Sequence, residues 1–333
     1  MMKSFMFVLF LLLGCNSLNA QVCEGKIIDS KTLESVAQVN VFLEGTMIGT
    51  VSNSEGYFRF NTNGFSSLPL IIGTIGYGYL KIPENYCQGK LEIKLEPVIY
   101  KLNEVTVNSG KWSRKKMLRI FKHEFLGDFA IPDQCEIQNE DNINLFYNAQ
   151  TKILEANSTK PLIIRNKLLG YEITYILEHF EKSKQELFFK GHYSFSEIES
   201  RDEEQKQLFK ERRKWAYYGS RMHFIRSLWK GYLASNGFNI YNVTNLKPIN
   251  VQDILSVSEY DRKYLVLAER IQVNYFQACN FNSHSEFNGT ILLPKEEYTL
   301  IEPNGYYDPE TLTWYGLMGC QRVSELLPFE YQP

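Results

Sequence analysis

The chain has 333 residues, of which 44% are hydrophobic, 14% aromatic and 22% charged, with a formal net charge of -2. That composition supplies cores for about two packed domains and excludes a disordered chain. A charge so near zero provides no global field toward nucleic acid, so no nucleic-acid partner is expected.

Residues 1–20 read as a signal peptide, with Lys3 in a positive start, an apolar run over 5–13, and Leu18-Asn19-Ala20 before Gln21. The run is too short to span a bilayer, so export is expected. An alternative takes Leu12-Leu13-Gly14-Cys15 as a lipobox, with Cys15 lipidated in an outer-membrane lipoprotein. Either route puts the mature chain in the periplasm or at the outer membrane, and no later stretch predicts a transmembrane span. Beyond residue 20 the cysteines are Cys23, Cys87, Cys135, Cys279 and Cys320, an odd set for an oxidising compartment. Cys23 and Cys87 flank the first domain, which makes them a candidate disulfide tying the first strand to the loop before the last.

Residues 21–97 carry short alternating runs. Val39, Val41 and Leu43 alternate with Asn40 and Phe42; Tyr57 to Phe60 follow a Glu55-Gly56 turn; Leu91, Ile93 and Leu95 alternate with Glu92, Lys94 and Glu96. Period two with frequent turns predicts an antiparallel β-sandwich. Gly25 to Asp29, Val39-Asn40-Val41, Gly45-Thr46, Gly49-Thr50, Asn53 to Phe58 and Gly76-Tyr77 resemble the carboxypeptidase-regulatory-like domain of Bacteroidota, which implies a transthyretin-like sandwich. Gly45, Gly49 and Gly56 fall where tight turns call for permissive dihedrals. The chain departs from the family at Ser35-Val36 and Ala37-Gln38, and has Asn53 where Asp is common. Residues 98–111, with Leu102 to Val107, resemble the segment that follows this domain in TonB-dependent transporters and read as a linker strand. The remaining chain lacks the regular amphipathic strands of a barrel.

Residues 112–333 are expected to form an α+β, β-rich domain. Met117, Leu118, Phe121 and Phe125 fall at helical spacing among Arg114, Lys115, Lys116, Arg119 and Lys122, a basic face read as solvated. Strands are expected over 143–177 with a turn at 157–161, a strand pair over 187–199, a long helical stretch over 202–232, and mostly strands after it. Phe121 to Leu126, residues 161–164, Leu169-Gly170-Tyr171, Tyr218-Gly219-Ser220 with His223-Phe224 and Arg226-Ser227-Leu228, Arg322-Val323-Ser324 and residues 327–331 resemble an uncharacterised extension that accompanies the regulatory-like domain in Bacteroidota envelope proteins. That resemblance implies architecture and compartment, and no activity.

The chemistry of a metallocarboxypeptidase is not written here. A zinc-binding His-x-x-Glu pair is missing, because Leu126, Lys182, Phe195, Arg226 and Phe287 stand three residues after His123, His179, His192, His223 and His284. No Gly-x-Ser-x-Gly elbow or phosphate-binding loop occurs. No enzyme activity, metal or cofactor is therefore expected, and regulatory-like domains are accessory modules in carboxypeptidases in any case. The candidate binding residues are Tyr218, Ser220, His223 and Arg226, the last three on one helical face. They either grip an anionic or sugar ligand or anchor the helix against a β layer. Trp215, Trp229 and Tyr232 read as core. A non-catalytic binding or assembly protein, with an envelope protein or glycan as partner, is the leading expectation; the alternative is a hydrolase of glycans or peptides working through the second domain.

Overall fold

The computed structural model describes residues 21–83, 86–87, 89–98, 112–127, 134–276 and 289–333. The leader with Cys15, the linker beyond Val98, Cys279 and His284 lie outside the described residues. The chain divides into two compact units, Met1–Leu43 with Ile48–Pro97, and Glu44–Met47 with Val98–Pro333.

The first unit is all β: β1 (Val22–Asp29), β2 (Asn40–Leu43), β3 (Gly49–Val51), β4 (Tyr57–Asn61), β5 (Leu70–Gly73), β6 (Leu80–Ile82) and β7 (Lys90–Leu95). They form two sheets, ordered β4-β1-β7 and β3-β2-β5-β6. Alternation is clean in β7, where Ile93 and Leu95 are buried and Glu92 and Lys94 exposed. In β5 all four residues are buried, so period two vanishes there. The expectation of a wholly antiparallel arrangement needs correction, since β1 pairs antiparallel with β4 and parallel with β7, in register Glu24↔Lys90. Parallel partners are distant in sequence and leave no hairpin signal.

Local chemistry sets the turns. Asn53 Oδ1 accepts from the Glu55 and Tyr57 N–H groups at 3.0 and 2.9 Å, so its amide does the turn-closing work a carboxylate would do. Gly56 adopts φ +77°, and an added Cβ would lie 2.5 Å from the Ile27 carbonyl oxygen. At Gly49 the requirement is space, not the expected dihedral freedom: its φ is ordinary, and a Cβ would meet the Cβ of Phe42 at 2.7 Å.

The second unit comprises α1 (Arg114–Leu126), β8 (Cys135–Ile137), β9 (Ile143–Asn148), β10 (Ile153–Ser158), β11 (Leu162–Asn166), β12 (Tyr171–Lys182), β13 (Leu187–Glu197), α2 (Glu203–Tyr217), α3 (Arg221–Lys230), β14 (Phe238–Asn242), α4 (Val251–Ile254), β15 (Leu255–Val257), β16 (Lys263–Val266), β17 (Ile271–Tyr275), β18 (Thr290–Pro294), β19 (Tyr298–Ile301) and β20 (Leu312–Gly316). Strands β8 to β13 make a 6-stranded sheet; β14-β17-β18-β20 and β15-β16-β19 make two smaller ones. Ser113 caps α1 by accepting from the Lys116 N–H, and the helix buries Met117, Phe121 and Phe125. Phe121 meets Phe180 edge-on and Phe125 meets Tyr175, forming one core with the large sheet. A second core gathers Phe224 and Leu228 of α3 with Phe238, Leu292 and Trp314. Three cations of α1 find partners close by: Arg114 donates to the Glu140 and Ile143 carbonyls, Lys122 pairs with Glu140, and Lys116 lies over the Trp112 ring.

Two expected elements differ. The strand pair over 187–199 is one strand, β13, paired along β12. The helical stretch over 202–232 is two helices, because Gly219 takes φ +80° and Ser220 starts a new N-cap. Among the described residues no helix is long and apolar enough to cross a membrane.

Candidate functional site

The candidate residues converge at the junction of α2 and α3. Ser220 Oγ accepts from the His223 N–H at 3.0 Å and so caps α3. The Gly219 N–H donates to His223 Nδ1 at 3.1 Å. Aromatic rings enclose this imidazole, with Tyr217 and Phe238 at 4.8 Å, Tyr218 at 5.3 Å and Tyr275 at 5.7 Å. Burial, then the nearby Arg226 charge, pushes the His223 pKa down to about 4. The ring is therefore neutral near pH 7 and accepts through Nδ1. Arg226 is buried and donates to three main-chain carbonyls: Asn304 at 2.8 Å, Tyr331 at 2.8 Å and Phe329 at 3.1 Å. Its guanidinium also lies 5.4 Å from the Tyr217 ring centre. Three of the four candidates are thus turned inward, and only Tyr218 is exposed. These interactions join α3 to the C-terminal tail and to the loop after β19.

The aromatic residues read as core divide. Trp229 is part-buried against the second core, with Lys263 over its ring, whereas Trp215 and Tyr232 are 57% and 63% exposed, a correction to the expectation. Trp215 falls outside because α2 turns Phe209, Ala216 and Tyr217 inward. Leu208, 41% exposed, lies two helical turns before Trp215 on the same outward side. One turn away on that side stand the exposed Glu204 and part-exposed Arg212, flanking Leu208, and the exposed Glu211, preceding Trp215, so the pair is bordered by both signs of charge.

A buried ionic cluster went unread in the sequence. The loop Glu44–Met47 lies along β13: the Gly45 N–H donates to the Tyr193 carbonyl and the Phe195 N–H to the Thr46 carbonyl, both at 2.8 Å. His192 Nδ1 is thereby set 2.5 Å from Glu44 Oε2, and its Nε2 is 3.4 Å from Glu178 Oε1. Glu44 Oε1 accepts the Tyr193 N–H at 3.0 Å. Burial alone would lower the His192 pKa, but hydrogen bonds to Glu178 and Glu44 and their charges outweigh it and raise it to about 9. The ring is a cation held between carboxylates. Among the described residues no group of three or more His, Cys, Asp and Glu side chains is arranged to hold a metal ion.

In the first unit, Asp29 Oδ1 accepts from the Lys31 and Thr32 N–H groups at 2.7 and 2.9 Å, and Oδ2 accepts from the Tyr77 hydroxyl at 2.9 Å. The Thr32 and Lys31 bonds hold the Asp29 carboxyl below its ordinary range. Asp29, Asn53, Gly56 and Tyr77 thus all serve turns. Residues 23–107 match the CarboxypepD_reg-like domain. The match takes in β1, from Cys23, through β7, and the four residues all lie within it. No curated protein matches the chain.

Proposed function

We propose that this chain is a non-catalytic exported protein of the bacterial envelope, in which the outward side of α2 binds a protein partner. The carrying observation is the pair Leu208 and Trp215, exposed together on one side of α2 with Arg212 one turn from Leu208. A tryptophan kept in water beside a leucine gains free energy when covered, and Trp with Arg is the usual chemistry of an interface centre. The inward use of Ser220, His223 and Arg226 supports a structural role for the polar constellation. The leader at 1–20 supports export, by cleavage after Ala20 or by lipidation at Cys15, and the regulatory-like domain supports a transthyretin-like sandwich in a Bacteroidota envelope protein.

The test is crosslinking in the native envelope followed by affinity capture of the natural chain and of Trp215→Ala. One partner, lost with Trp215→Ala while the melting temperature stays unchanged, is the expected result. The same partner with both chains, or none with the natural chain, sinks the reading. Intact mass of the mature chain distinguishes a Gln21 start from a lipidated Cys15.

A further inference from the structure

Two cysteines meet inside the first unit. Cys23, the second residue of β1, is wholly buried, and Cys87, between β6 and β7, is 9% exposed. The parallel register of β1 with β7 begins at Glu24↔Lys90, one residue after Cys23 and three after Cys87. On the far side of Cys23, Gln21 Nε2 donates to the Cys87 carbonyl at 3.3 Å, fixing the segment against the start of β1. The two thiols are free and hydrogen-bonded to each other. Backbone register, a main-chain anchor and the thiol contact all place the sulfurs together.

We infer that Cys23 and Cys87 form a disulfide that staples β1 to the segment leading into β7. The oxidant is an external disulfide, carried by glutathione or by a dithiol oxidase. The Cys23 thiolate attacks one sulfur of that disulfide; its S–S bond breaks, and the departing thiolate takes the electron pair. The Cys87 thiolate then attacks Cys23 Sγ, forming the Sγ–Sγ bond and expelling the second external thiolate. Two protons leave the protein and the oxidant is reduced to two thiols. Because Cys23 is fully buried in the folded unit, the exchange takes place before the strands close, and the finished bond is shielded from reductant. The bond is a staple, not a switch. Cys135, by contrast, is buried in the other unit with its pKa pushed up to about 12 by burial, and Cys320 is exposed.

The experiment refolds the full chain in a glutathione redox buffer, alkylates it in denaturant and maps the peptides. A linked Cys23–Cys87 peptide, two hydrogens lighter than the sum of its parts, is expected. Refolding with excess reductant in place of that buffer should give a melting temperature lower by on the order of 10 °C, as opening a loop of this length implies. The Cys23→Ala, Cys87→Ala double variant should lose the reductant response. Two alkylated thiols after oxidative refolding, or Cys23 joined to Cys135, Cys279 or Cys320, overturns the pairing. Because the decisive map uses the natural sequence, a variant that fails to fold does not blur it. Mapping the chain from its native envelope separates the two readings: a bond formed in the buffer but absent there overturns export, not the pairing.

Discussion

Arg226 is a buried cation that donates to three main-chain carbonyls, those of Asn304, Phe329 and Tyr331. Removing the guanidinium strands three acceptors, that of Phe329 in a buried bond and those of Asn304 and Tyr331 in part-buried ones. Arg226→Met should therefore lower the unfolding free energy by about 3 kcal/mol, measured by urea denaturation. Arg226→Lys keeps the charge but not the planar fork, and should recover less than half of that loss. A Met variant as stable as the natural chain would show that the bonds contribute nothing net. The spacing of Ser220, His223 and Arg226 was legible as one helix face. Their destinations were not, because a carbonyl acceptor has no sequence mark and those of Arg226 lie 78, 103 and 105 residues away. His192 and Glu44 were hidden for the same reason, being 148 residues apart.

Elements were legible in proportion to how local their causes are. Helix α1 could be read from its apolar spacing, since Met117, Phe121 and Phe125 all face one core. The pairing of β1 with β7 could not, because neither strand encodes its partner. Between these extremes stands the break between α2 and α3, where Gly219 followed by Ser220 is a stop-and-start signal that the long apolar-aromatic stretch obscured. Gly219 needs φ +80°, and an added Cβ would lie 2.9 Å from the Tyr275 ring. Gly219→Ala should thus cost about 2 kcal/mol, combining left-handed strain with the displacement of that ring. Chemical denaturation reads the loss. A neutral substitution would mean that the junction relaxes without strain.

At the scale of the whole molecule, two histidines shifted in opposite directions shape stability against pH. His223 has a native pKa of about 4, below the unfolded value of about 6.5, so the unfolded chain binds more protons between those limits. Its contribution is complete above pH ~6.5 and is lost as pH falls toward 4. His192 has a native pKa of about 9, so its contribution is complete below pH ~6.5 and is lost as pH rises through 9. The groups facing His192 are Glu44 and Glu178, with Lys190 reaching Glu178 and Glu310. Most carboxylates titrate below this window and lysines and tyrosines above it, so the middle belongs chiefly to the two imidazoles. The unfolding free energy should peak near pH 6.5 and fall on each side by up to about 1.4 kcal/mol per pH unit. His192→Gln, which keeps a neutral polar side chain between Glu44 and Glu178, should flatten the alkaline limb and leave the acid limb intact. His223→Asn, whose amide oxygen can replace Nδ1 as the acceptor for the Gly219 N–H, should do the reverse. Urea titrations across pH 4 to 9 on the three chains measure both limbs in the range set by these two pKa values. An alkaline limb unchanged in His192→Gln would mean that the charge on His192 is not what holds Glu44–Met47 against β13, leaving that work to the main-chain bonds of Gly45 and Phe195.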